Sequence, residues 1–360
     1  MDQFRATPTR SVFALLTLFP GSILTRKALL YLDGALKRDK YLSTLGRRID
    51  HFKDRQSSSL TRVSDDDVDE ESLLGDYAVP EVDATALDSH ALHRAIRQNG
   101  CLIVRNFFSA NEVKDMRTYV DYSVSLHSNK DSAISRYLTK SVNLDEVLKN
   151  TVEDIRVKQQ ENSTYFNTVK MARNFSQALG KHNSFFVART PLLTEKILQL
   201  FTKTHLKKLL SKYFNNDPCL SIYKWVIRKS QPPKNIIDFH QDGAFMGDDI
   251  ATLNCWIPLS DCGTGYNVHG LDVIPVPLKH LFSKGSGVLD WTISAQAVTD
   301  KYGESVIVTP TFRKGDAFFF DQFLMHRSQY LADSSESRYA IENWFFDSKY
   351  FPKNQVPLKW

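Results

Sequence analysis

From Leu220 onward the chain is written as short strands. Leu220–Arg228, Thr252–Leu259, Leu271–Pro275, Ser305–Val308, Ala317–Phe320 and Arg338–Phe346 are β-branched or aromatic runs bounded by Gly, Pro or Asp. Ahead of them the periodicity is helical. Asp88–Gln98 predicts a helix stopped by Asn99-Gly100, and Cys101–Arg105 a short buried strand. Ser109-Ala-Asn-Glu112 is a capping-box pattern, followed by Val113, Met116 and Val120 at helical spacing. Residues 130–185 read as mostly helical and irregular. Pro191 suits a helix start, and Leu192–Phe214 is amphipathic. Helices first and many short strands after predict an α+β chain whose core is a β-sandwich or jelly roll.

Composition narrows the class of function. With 42% hydrophobic and 24% charged residues, 360 residues are enough for one sizeable core. The net charge of +5 comes with no dense Lys/Arg stripe interleaved with aromatics, so nucleic acid is not an expected partner. Cys101, Cys219, Cys255 and Cys262 form no Cys-x-x-Cys pair and suggest neither a disulfide framework nor a zinc site. A reducing, cytoplasmic setting is the expectation. The apolar run Val12–Phe19 is broken by Pro20-Gly21 and is too short to span a bilayer. No small-residue cleavage site follows it.

The first 75 residues differ from the rest. Residues 1–60 carry 11 Lys/Arg against 5 Asp and no Glu. An acidic run, Ser64–Ser72, follows and reads as a solvated linker, because its like charges repel in a compact state. Hence residues 1–75 are expected to form a basic helical extension and 76–360 the main domain. Within the extension, Ser22–Phe52 has apolar residues at loosely helical spacing. Two readings stand: a helical arm packed on the domain, or a basic surface that touches a membrane or a partner.

The chemistry concentrates at Asp238-Phe-His-Gln-Asp-Gly243. Residues two apart on a strand share a face, so His240 and Asp242 are expected to reach one metal ion, with Gly243 letting the chain turn after them. Gln241 is then expected to point away. The third ligand is expected from another strand, and His326 in Phe320–Ser328 is the best placed. Two His and one carboxylate are the facial set of non-haem iron(II) sites with open positions. Arg338 opens the last apolar strand. A guanidinium fork there suits the distal carboxylate of an anionic co-substrate. Pairing with Glu336, Glu342 or another carboxylate is the equally open alternative. His269, Lys279 and His280 can line a pocket, though each type is more often structural.

These residues carry a resemblance. Arg97–Val113 (RQNGCLIVRNFFSANEV), Phe239–Gly243, Leu253–Asp261 and Gly315–Phe320 through His326 resemble segments of the phytanoyl-CoA dioxygenase family. The resemblance runs from about Ala95 to Phe346. It implies a double-stranded β-helix (jelly roll) flanked by helices. It also implies iron(II), 2-oxoglutarate and O2 as cofactor and co-substrates, with succinate and CO2 released. Carried over, the ligands are His240, Asp242 and His326, and the 2-oxoglutarate contacts are Arg338, Ser328 and Trp256. A carboxylate at Asp242 favours hydroxylation over halogenation. The chain departs from the family at Gly270–His280, where the usual Pro-Gly-Ser-His turn is missing, so the substrate does not transfer. A small organic substrate (natural-product, lipid-like or acyl) is the expectation. A non-catalytic jelly-roll binding module and a metal-dependent jelly-roll enzyme without 2-oxoglutarate are the alternatives.

Overall fold

The structure is a computed structural model that describes residues 48, 77–128, 184–187, 191–231, 238–282, 291–334, 336–352, 355 and 357–359. The helices expected in Ser22–Phe52, the acidic linker and residues 130–183 lie outside the described residues. Of residues 1–76 only Arg48 is described, and its Nη1 donates to the Lys359 carbonyl at 3.0 Å. Among the described residues no helix is long and apolar enough to cross a membrane.

In chain order the elements are β1 (Glu81–Asp83), α1 (Ser89–Asn99), β2 (Cys101–Arg105), α2 (Ala110–Ser128), β3 (Ser184–Phe186), α3 (Pro191–Lys203), α4 (Leu206–Phe214) and β4 (Pro218–Ser230). Then come α5 (Gly243–Met246), β5 (Thr252–Pro258), β6 (Cys262–Gly263), β7 (Leu271–Ile274), α6 (Ala295–Tyr302), β8 (Thr311–Phe312), β9 (Ala317–Phe320), β10 (Met325–Ser328), β11 (Arg338–Asp347) and β12 (Pro357–Lys359). The large sheet runs β1-β2-β9-β5-β11-β4-β12, with β3 also on β4. Every pairing in it is antiparallel except β1 with β2.

A smaller sheet faces it. β10 pairs with β7, and single bridges extend the pair: Val308 joins Val273, His240 joins His326, and Ile293 joins Phe239. Two facing sheets with helices against one outer side form the α+β jelly roll that the sequence suggested.

Alternation along the strands sorts the core. Leu253, Cys255, Ile257, Phe319, Ile341 and Phe345 pack with the helices, burying the Val113, Met116 and Val120 stripe of α2. Their neighbours Trp256, Phe318, Phe320, Ala340, Trp344 and Phe346 form a second cluster with Leu271 and Val273 of the small sheet. On that sheet's far side Phe239, Ile274 and Met325 pack with Val298 of α6. The residues next to Phe239 and Met325, His240 and His326, therefore face the space between the sheets.

The helix signals hold. Asp88 caps α1, accepting from Ala91 N at 2.7 Å, and Gly100 ends it in the left-handed region at φ 71°. Ser109 and Glu112 cap each other reciprocally, Ser109 N donating to Glu112 Oε2 at 2.9 Å. Three expectations need correction. Ser184 and Phe185 belong to a strand, not to the irregular helical stretch. Leu192–Phe214 is two helices, because His205 takes φ 54° while the Thr204 hydroxyl bonds back to the Leu200 and Phe201 carbonyls. Ser305–Val308 is not a strand: Glu304–Val306 coils as a 3-10 turn, and only Val308 reaches the sheet.

Candidate metal centre

His240, Asp242 and His326 converge between the sheets, with one ligand atom from each lying within 4.8 Å of the others. The two histidines meet because they face each other across an antiparallel bridge. His240 N donates to His326 O at 2.9 Å and His326 N to His240 O at 3.0 Å. Such a pair sends both side chains to the same side, and the rings lie 4.3 Å apart.

Asp242 arrives by a different route from the one expected. It is not two steps along a strand. The chain leaves the sheet after His240, and Asp242 adopts φ −65°, ψ −23° as the residue before α5. The turn swings its carboxylate back, so that Oδ1 lies 3.7 Å from His240 Nε2. Gly243 permits this through close approach. A Cβ there would meet Leu281 Cδ2 at 2.9 Å and the Gln322 carbonyl at 3.2 Å, the same carbonyl that accepts from Gly243 N. Gly243→Ala is therefore expected to displace the Asp242 turn, costing about 1–3 kcal/mol of stability and at least tenfold in metal affinity. Thermal melting and a chelator competition measure both; wild-type metal affinity would contradict this account.

The polar atoms suit a cation. Asp242 is buried, and its Oδ2 has no hydrogen-bond partner. His326 Nδ1 bonds the Leu324 carbonyl at 3.0 Å, which as a donor fixes the tautomer and leaves Nε2 as a lone pair. Burial pushes the His240 imidazolium well below its ordinary range, and the charges of His326 and Lys224 push the same way. Burial raises the Asp242 carboxyl, while Lys224 pulls it back. Two imidazole nitrogens and one carboxylate form a donor set for a divalent transition ion with open positions.

Gln241 points away from the centre, as expected. It ties two loops together, donating to the Phe323 carbonyl at 2.8 Å and accepting from Phe282 N at 2.6 Å. Lys279 and His280 are exposed and line no interior space.

Arg338 lies on the inner face of β11 and is 3% exposed. Neither expected carboxylate holds it. Glu342 is engaged by Arg228 at 2.6 Å, and Glu336 is exposed. Among the described residues no ion pair reaches Arg338. Its Nη1 donates to the Gly270 carbonyl at 2.6 Å, its Nε has no partner, and the Trp256 ring lies 5.6 Å away. Gly270 adjoins Leu271, which pairs with Ser328, two residues past His326 on the same strand face. Two strand residues span roughly 7 Å, so the Arg338 end and the metal end are separated by about the length of a short dicarboxylic acid.

The sequence reading missed several neighbours. Trp291 stands edge-on to His240 at 5.3 Å and to Phe245 at 5.4 Å, screening one side of the centre. Lys224, Arg228 and Glu342 line the floor. Burial alone would raise the Glu342 carboxyl, but the Arg228 and Lys224 charges outweigh it and hold it at about 2. The signal was available: charges at alternate positions of otherwise apolar strands mark a polar interior.

These residues lie in recognised company. The profile of the phytanoyl-CoA dioxygenase (PhyH) family matches residues 96–338. The chain belongs to the phytanoyl-CoA dioxygenase family. That places it in the superfamily of iron- and 2-oxoglutarate-dependent enzymes, which fits the donor set just described. No curated protein matches the chain. Among solved structures it is similar to the epimerase SnoN in complex with Fe3+, alpha-ketoglutarate and nogalamycin RO. The identity is 16% over 74% of this chain and 88% of that one, with a TM-score of 0.44, a likeness too loose to bear on chemistry.

Burial also sets the direction in which His269 titrates. Burial, with the Arg338 charge adding to it, pulls the His269 imidazolium down to about 3 from 6.5. An unfolded chain takes that proton at 6.5 and the folded one does not. Stability is thus fully present above pH 6.5 and is lost toward pH 3, at about 1.4 kcal/mol per pH unit. Metal-free protein is expected to lose stability on acidification from pH 6.5 to 4.5, and His269→Asn to show a slope shallower by one proton. Denaturant titrations at several pH values check this; an identical slope in the variant contradicts it.

Proposed function

We propose that this phytanoyl-CoA dioxygenase family member is an iron(II)- and 2-oxoglutarate-dependent dioxygenase. It hydroxylates an unactivated carbon of a small organic substrate. One observation carries the reading: a His-Asp-His cluster lies between the sheets, and on the same inner side stands a buried Arg with no ion pair among the described residues. Such a set costs desolvation that the fold offsets only in part, as the unpartnered Asp242 Oδ2 and Arg338 Nε show, and a bound metal and anion would offset the rest.

Iron(II), 2-oxoglutarate and O2 supply the oxidation, with succinate and CO2 released. The protein supplies position and shelter. His240, His326 and Asp242 would hold the metal, each through one ligand atom. Leu324 O keeps the His326 lone pair aimed inward. Arg338 binds the far carboxylate of the co-substrate and stays charged, since burial lowers it only to about 10. The Ser328 hydroxyl and the Trp256 ring flank the path between them. Trp291, backed by Phe245, covers one side of His240.

The test is co-substrate turnover. Iron(II)-loaded protein in air is expected to convert 2-oxoglutarate to succinate above the buffer background even without its prime substrate, and His326→Ala to abolish the conversion. Tight iron binding with no succinate formed, or equal succinate from the variant, would defeat the proposal.

A further inference from the structure

We propose that His269 completes the anion site that Arg338 opens, so that His269 Nδ1 and the free edge of the guanidinium together hold the distal carboxylate of the 2-oxo acid. This rests on the proposed function and names a residue that neither the motifs nor the metal site assigns.

His269 precedes β7 and is 1% exposed. Its Nδ1 is shut off from solvent without a hydrogen-bond partner, and so is Arg338 Nε. The two residues are in contact, since Arg338 Nη1 approaches the His269 carbonyl at 3.5 Å while donating to Gly270 O at 2.6 Å. Gly270 makes that contact possible: a Cβ on it would lie 2.7 Å from Gly263 Cα. With Nη1 occupied, the guanidinium presents its Nε and Nη2 edge, the pair of parallel donors that matches a carboxylate.

An imidazole nitrogen can accept from a guanidinium N–H. These two do not bond each other, and each is left for a third group. A carboxylate is the group that accepts from both, with Nδ1 as the imidazole donor. The imidazole is neutral at working pH, so it has one N–H to give and adds no second charge beside Arg338. An anion seated there lies at the Gly270 end of the β7–β10 pair, away from the metal ligands. His269 therefore reads the length of the co-substrate rather than its chelating end.

The experiment is calorimetry on the full chain loaded with manganese(II), which fills the site without turnover. The probes are 2-oxoglutarate and 2-oxobutyrate, which share the chelating end and differ in the distal carboxylate. His269→Leu is expected to weaken 2-oxoglutarate about tenfold, the loss of one hydrogen bond to a charged group, and to leave 2-oxobutyrate unchanged. His269→Asn, whose amide nitrogen can stand near the Nδ1 position, is expected within about threefold of wild type, and His269→Gln is not. Equal 2-oxoglutarate affinity in His269→Leu, or equal losses for both acids, overturns the proposal alone. If His269→Leu does not fold, the Asn and Gln variants decide, and equal affinities between them overturn it. Wild-type protein that binds manganese but neither acid overturns the proposed function and this inference with it.

Discussion

Asp242→Ala is expected to abolish metal binding while leaving the metal-free protein at least as stable as the wild type. A carboxylate kept for the fold is satisfied by the fold, as Asp316 is: it pairs with Arg105 and accepts from Arg313 N at 2.9 Å. Asp242 is equally buried, yet its Oδ2 has no hydrogen-bond partner. Burial disfavours its charged form, and the Lys224 charge offsets only part of that. An unsatisfied buried acceptor costs about 1–3 kcal/mol, which truncation to Ala relieves. Metal affinity should fall by about 100-fold or more, since even groups that merely orient ligands carry ten- to hundredfold. Chelator competition and melting with a chelator present measure the two effects. A melting drop like that of Asp316→Ala, with metal still bound, would place Asp242 in the structural class.

Arg338→Leu is the complementary case. A bidentate guanidinium–carboxylate contact in a buried site contributes about 3 kcal/mol, so 2-oxoglutarate affinity should fall about 100-fold. Metal affinity should hold, because Arg338 lies at the far end of the β7–β10 pair from His326. Leu also removes a desolvated cation whose Nε is unsatisfied, so the fold should tolerate it. Retained 2-oxoglutarate affinity in this variant would take Arg338 out of the co-substrate site, and metal-dependent activity unchanged by the substitution would favour a jelly-roll enzyme that does not use the co-substrate.

Much of this was legible before any coordinates, for identifiable physical reasons. Strand runs such as Ala317–Phe320 and Arg338–Phe346 are bounded by turn residues and buried on both faces, so local composition and tertiary environment agree. Their bounds came out nearly as expected. The caps Asp88, Gly100 and Ser109–Glu112 act within a few residues, which a linear reading can follow. What failed depended on contacts distant in sequence. Val308 reaches the sheet only through its bridge to Val273, and the His205 break takes a left-handed residue that no Gly or Asn announces.

The site shows the same division. The identities of His240, Asp242 and His326 could be picked out, but the geometry argued for them was wrong at Asp242. Strand alternation cannot foresee a turn that Gly243 allows only because Leu281 and the Gln322 carbonyl press against it. Arg338 stood evenly between a carboxylate partner and a bound anion. What favours the anion is that Glu342 is taken by Arg228, a fact of strand register between β4 and β11. His269 looked structural by type, and its unsatisfied Nδ1, together with the contact of its carbonyl with Arg338, is what the proposed anion site rests on.

The most direct test of the central claim is a difference spectrum. Metal-free protein is loaded anaerobically with iron(II) and titrated with 2-oxoglutarate. The account predicts a weak visible charge-transfer band that saturates at one equivalent and is absent in His240→Ala. Iron bound without the band, or the same band in His240→Ala, would contradict it.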